Sequence, residues 1–200
     1  MHTRSSTFLV ILALVCPLLF AQKVPAGPAA TALAATPDAA TVKKLIQDQF
    51  GSGYKPLPGF TPLVADFDGD GIEDVAVAAK AVNPLLNAVE YHYTVIDPYH
   101  SFFGYGNPKL MMQFGADDPR LEGQSVLIVH GAANGGWRAA QPKSKFVIVN
   151  LPYIRLSLSQ VLRHKKPLAA VAAEEPDKVT SVIYWDGKKY KYEPMGADAD

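Results

Sequence analysis

Leu63-Val64-Ala65-Asp66-Phe67-Asp68-Gly69-Asp70-Gly71-Ile72-Glu73-Asp74-Val75-Ala76-Val77-Ala78 is the stretch from which the fold is read. Leu63, Ala65 and Phe67 alternate with Val64 and Asp66, and beyond the acidic segment Val75 and Val77 alternate with Ala76 and Ala78. Period-two alternation is the mark of a strand, and the glycines between the two runs permit a sharp reversal. Strand, tight loop and strand therefore predict a hairpin over residues 61–80.

The loop of this hairpin carries its own chemistry. Calcium takes six to eight oxygens, and a chain wraps it where carboxylates alternate with residues that let the backbone bend. Asp66, Asp68 and Asp70 stand at positions one, three and five, Ile72 offers a backbone carbonyl at position seven, and Asp74 follows at position nine. With Glu73 these acids repel one another unless a cation sits among them, and Glu73 is expected to face solvent. An EF-hand needs a bidentate Glu at position twelve, where this chain has Val77 inside a strand, so a helix-loop-helix is excluded. The stretch from Val64 to Val77 resembles the calcium loop of FG-GAP and VCBS-type repeats, found in integrin propellers and in secreted bacterial proteins. That resemblance implies Asp66, Asp68, Asp70 and Asp74 as ligands with the Ile72 carbonyl, and Ca2+ as the cofactor. It covers a single copy of a motif that those families repeat once per propeller blade.

Upstream, Arg4, the apolar run Phe8 to Phe20 and the small residues Ala21 and Ala26 read as a secretory signal over residues 1–21. The run is too short to span a membrane as a helix, so contact with a membrane is expected only through that segment. Residues 22–36 are rich in Ala, Pro and Thr and read as a linker. Cys16, the sole cysteine, lies in the signal, so the exported chain is expected to have no disulfide. Thr36 as N-cap, Pro37 in the first turn, Val42, Leu45, Ile46 and Phe50 at helical spacing, and Gly51 as the stop predict one amphipathic helix.

Downstream, Ser125–Val129, Lys145–Leu151, Tyr153–Leu158 and Val179–Trp185 read as strands, with Ile154, Leu156 and Leu158 on one face. Asp186-Gly187 joins the last of these to Lys189–Tyr192 in a second hairpin. The expected fold class is α+β: one N-terminal amphipathic helix packed on a mostly antiparallel sheet. A single domain is expected over 37–195, with a tail at 196–200.

The full chain has 19 basic and 19 acidic side chains, and removing the signal removes only Arg4. That balance favours neither nucleic acid nor an anionic membrane, and no nucleotide-binding or Cys-x-x-Cys motif is present. Ser125 to Gly131 followed by Gly135-Gly136-Trp137 resembles the strand and oxyanion loop of α/β-hydrolases, but no serine sits on a nucleophile elbow. An unrecognised hydrolase around His130, or an enzyme of unrecognised type around His130 or His100, is one alternative. His92 and His100 lack the ligand spacing of a transition-metal site. A second alternative is an envelope carbohydrate or peptidoglycan binder using Tyr91, Tyr99, Phe103, Tyr105 or Trp137 as platforms. The basic run Arg163-His164-Lys165-Lys166 could touch an anionic polymer, or simply end a strand in solvent. The leading expectation is an exported, non-enzymatic calcium protein, periplasmic or secreted, whose partner is a protein or a glycan.

Overall fold

The computed structural model describes residues 36–104, 121–133 and 135–195, all within one compact unit, Leu33–Asp200. The expected signal segment, almost all of the linker, the tail and Tyr105 lie outside the described residues. Among the described residues no helix is long and apolar enough to cross a membrane.

Helix α1 runs from Ala39 to Phe50 and turns Val42, Leu45, Ile46 and Phe50 inward. Its N-cap is Asp38 rather than Thr36: the Asp38 carboxylate accepts from the Thr41 amide at 2.7 Å, meeting a donor that has no partner in the first turn. Gly51 ends it at φ 84°.

Among the described residues ten strands follow or flank a short helix, α2 (Pro98–Phe102). They are β1 (Tyr54–Pro56), β2 (Leu63–Ala65), β3 (Asp74–Ala81), β4 (Thr94–Ile96), β5 (Gln124–His130), β6 (Ser144–Val149), β7 (Arg155–Arg163), β8 (Lys166–Glu174), β9 (Thr180–Trp185) and β10 (Tyr190–Met195). They form a six-stranded sheet in the order β1-β3-β5-β6-β4, and a four-stranded antiparallel sheet in the order β10-β9-β8-β7. β2 pairs with the start of β3 and β1 with its end, so the two short strands share one neighbour. β4 lies parallel to β6.

These elements correct the expected α+β class. Of the described residues, 43% are in strands and 12% are helical, and there are two sheets rather than one. The reason lies in the first sheet, which is buried on both faces. Val75, Val77, Leu127, Val129, Val147 and Val149 join α1 in one core. Ala76, Ala78, Val126, Ile128, Phe146 and Ile148 pack instead with Val171, Ala173, Ile183 and Tyr190 of the second sheet. Ala76 and Ala78, which alternate with valines and look like a neutral outer face, are in fact the inner face toward a second layer.

The second sheet was hidden because its inner strand β8, Lys-Pro-Leu-Ala-Ala-Val-Ala-Ala-Glu, is alanine-rich and poor in residues that favour strands. β7 is an edge strand. Ile154, Leu158 and Leu162 are exposed, so of the apolar face read there only Leu156 packs against the core. The basic run is the turn between β7 and β8, with His164 at φ 49° and Lys165 at φ 65°. Two successive positive angles match the right-handed twist of a two-residue hairpin.

Candidate metal centre

Three adjacent strands of the first sheet reach the same level at the acidic loop. Val75 pairs with Val129 and His130 with Ser144, so the start of β3, the end of β5 and the start of β6 converge. Asp74, His130 and Ser144 therefore meet although they are far apart in sequence, and Lys143 precedes β6 at the same place.

Within the loop the carboxylates organise the backbone. Asp66 accepts from the amides of Gly69 at 2.7 Å, Asp70 at 3.1 Å and Gly71 at 2.7 Å. Asp68 accepts from the Asp70 amide at 3.2 Å, and Asp70 from the Ile72 amide at 2.9 Å. Asp74 is buried and uses both oxygens: Oδ2 accepts from Phe67 and Oδ1 from Gly131, each at 2.7 Å. It ties the two ends of the loop together and then ties the loop to β5.

Among the described residues two groups of side chains could hold a metal ion, each with its ligand atoms within 4.8 Å of one another. Asp66, Asp68 and Asp70 form the first, and Asp68, Asp74 and His130 the second. They share Asp68. The first offers only hard oxygens, the donor set of calcium, whereas the second includes an imidazole nitrogen and is the softer of the two. Asp74 thus stands with His130 on the buried side of the loop. Ile72 sits between Asp70 and Asp74 with its amide hydrogen-bonded to Asp70. Glu73 turns outward to Arg138 at 3.1 Å.

Sequence reasoning missed Lys143. Its ammonium lies 2.7 Å from Asp68 Oδ2 and 2.6 Å from Asp70 Oδ2, between two carboxylates of the first group. These contacts hold the Lys143 ammonium above its ordinary range. Burial pushes Asp70 up, but the bonds from Lys143 and from the Ile72 amide outweigh it, so its carboxyl lies below the ordinary value. A lysine after a loop, 73 residues from Asp70, carries no local sign of this role.

His130 is 1% exposed, which leaves it no access to a substrate. Nε2 lies 2.6 Å from the Tyr190 hydroxyl, and Nδ1 3.0 Å from Ser144 Oγ and 3.3 Å from Asp68 Oδ2. A proton on Nδ1 satisfies the set, because it faces the carboxylate while Tyr190 donates to Nε2. Burial lowers the imidazole pKa, and this outweighs the pull of Asp68 in the other direction. Burial likewise raises Asp74 to about 7, against the bonds from Gly131 and Phe67 and with the help of Asp68 and Asp66.

The other sequence candidates are dispersed. His100 pairs with Asp97, the cap of its own short helix, at 2.8 Å. Neither His92 nor His100 belongs to a metal-ligating group among the described residues. Trp137 is buried and Tyr91 lies against Gly51, whereas Tyr99 and Phe103 pack with Phe102 and Tyr192 in a half-exposed aromatic group. Trp185, absent from the expected platforms, packs on His130, Phe146 and Tyr190 and remains half-buried.

No family model, curated protein or solved structure matches the chain.

Proposed function

We propose that the protein is an exported, non-enzymatic recognition module in which a structural Ca2+ braces the β2–β3 loop. Asp66, Asp68 and Asp70 are the ligands the geometry gathers, and the likeness to FG-GAP and VCBS-type loops adds Asp74 and the Ile72 carbonyl, Asp74 having to share oxygens that also accept from Phe67 and Gly131. The reading is carried by the Asp66, Asp68 and Asp70 oxygens gathered within 4.8 Å of one another on a hairpin loop. The ammonium of Lys143 lies between two of them, so it offsets part of their repulsion and competes with the ion for that place. The motif's likeness to FG-GAP and VCBS-type loops points the same way. Calcium here holds together three strand ends, and the surface so braced meets a protein or glycan partner, with no role for nucleic acid or nucleotide.

Calcium at about 5 mM should stabilise the folded chain by about 1 to 2 kcal/mol if the site binds at roughly 10⁻⁴ to 10⁻³ M. In a domain of this size that is a rise in melting temperature of about 2 to 8 °C. Asp70→Ala is expected to remove most of the rise. Lys143→Met removes the competing ammonium, so the variant should melt lower in chelator and gain more from calcium. Identical melting curves of the parent in chelator and in calcium would sink the calcium reading.

A further inference from the structure

The four-stranded sheet ends in two hairpin tips that part from each other. β8 and β9 pair from Val171 and Ile183 to Glu174 and Thr180, while β7–β8 continues to Arg163 and Lys166 and β9–β10 to Trp185 and Tyr190. Beyond Val171 the hairpins lose their mutual hydrogen bonds, and a cleft of about 280 Å³ opens between them. Its walls include Arg163, His164, Lys166, Trp185 and Asp186, and on one side Asp68 of the acidic loop.

The two tips gather Arg163, Lys165, Lys166, Lys188, Lys189 and Lys191, six of the chain's 19 lysines and arginines, in a protein whose total charge is zero. Asp186 is the acid within these turns, and it is spent on them. Its Oδ1 accepts from the amides of Lys188 at 2.8 Å and Lys189 at 2.9 Å, and its Oδ2 lies 3.8 Å from Lys191. Asp68 is 3% exposed and shares the Lys143 ammonium with Asp70.

Arg163 is positioned rather than free to swing. One guanidinium N–H donates to the Asp186 carbonyl at 2.8 Å and the group lies 5.7 Å from the Tyr184 ring centre. A guanidinium has five N–H donors, of which this bond uses one, and the charge of Arg163 also helps to hold the Asp186 carboxyl below its ordinary range. Trp185 also lines the cleft and packs on His130, Phe146 and Tyr190 at ring-centre distances of 5.1, 5.0 and 5.3 Å.

We propose that this cleft binds an acidic glycan: one carboxylated sugar ring seats against Trp185 with its anionic group on Arg163 and Lys166. A flat aromatic wall takes the apolar face of a sugar ring, and a fixed guanidinium takes a carboxylate in bidentate fashion. The cleft is at the small end of ligand sites and holds one such unit. Further units run along the exposed tips, where Lys165, Lys188 and Lys189 lie. The proposal rests on the reading of the protein as a recognition module, and it does not need the loop to hold calcium.

The test is calorimetric titration of the full chain, in chelator and at about 50 mM salt, where surface charges are weakly screened. The probes are a galacturonate trimer, the neutral galactose trimer and inorganic phosphate. The galacturonate trimer should bind saturably and at least about tenfold more tightly than either of the others. Arg163→Gln combined with Lys166→Gln should weaken it at least about tenfold. If that variant melts lower than the parent, the pair Lys166→Gln and Lys188→Gln, both at exposed positions, replaces it with the same expectation. Absence of saturable binding, equal binding of the neutral trimer, phosphate binding as tight as the charged trimer, or indifference to the substitutions would each overturn the proposal. Because calcium is absent, these results stand apart from the melting experiment above.

Discussion

Gly131→Ala is expected to be the most damaging single methyl group that can be added near the loop. A Cβ at this position would stand 2.6 Å from the carbonyl carbon and 2.8 Å from Cα of Gly136, and inside van der Waals contact of the Glu73 carbonyl oxygen. All three are backbone atoms, so no side chain can rotate away. The Gly131 amide also donates to Asp74, which prevents the chain from backing off without losing that bond. Overpacking usually costs about 1 to 3 kcal/mol, and a clash with fixed backbone belongs at or above the upper end of that range. Against a typical domain stability of about 5 to 15 kcal/mol this is a large fraction. Urea unfolding of the purified variant should show a clearly lower midpoint, or the variant should fail to accumulate as a folded species. A stability within about 0.5 kcal/mol of the parent, the usual effect of a harmless surface change, would refute the close packing at this site.

Asp74→Ala is expected to cost nearly as much, for a different reason. It removes the acceptor of two buried amides, Phe67 and Gly131, and each orphaned buried donor costs about 1 to 3 kcal/mol. Release of a carboxylate from burial returns part of that loss, so the net effect is about 2 to 5 kcal/mol. Asp74→Asn keeps one acceptor and should fall between the alanine variant and the parent.

The same position governs the pH dependence. Asp74 has a folded pKa of about 7, raised from 3.8, so it favours the fold at low pH and this contribution is lost as pH rises from 3.8 through 7. His130 has a folded pKa below its ordinary 6.5, so it favours the fold above 6.5 and this is lost as pH falls below that value. Between about 4 and 6.5 the folded chain carries the pair's proton on Asp74 and the unfolded chain carries it on His130. The two states bind equal numbers of protons, and the pair contributes almost no slope. Asp74→Asn leaves His130 alone. In that variant, stability in chelator should rise with pH across the window, whereas the parent should show no such rise from this pair. Thermal melts of both proteins at pH 4.5, 5.5 and 6.5, spanning the window set by the linkage relation, give the comparison. Parallel profiles would refute the assignment.

What could be read in advance was whatever neighbours along the chain decide. The hairpin around Asp66 to Asp74 follows from period-two alternation broken by glycines, and β2 and β3 pair as that pattern requires. The stop at Gly51 and the last hairpin around Asp186-Gly187 are equally local, because a residue's own backbone angles settle them. The second sheet was not legible. Alternation reveals a strand with one wet face, and β3, β5 and β6 have none, so their second buried face gave no contrast. β8 could not be recognised from propensity, since its alanines are chosen by the close packing of its central place in the sheet.

The site divides along the same line. The carboxylate spacing by itself determined that the loop gathers acids that could hold a cation, because charge and reach within nine residues are properties of the chain. Tertiary structure alone decided that Lys143 supplies one cation, that Asp74 turns inward to Gly131, and that His130 is a buried neighbour of Asp68. These partners lie 57 to 75 residues from the loop residues they meet. Nothing in local sequence encodes such a meeting, which follows from the register of three strands whose faces must be buried together.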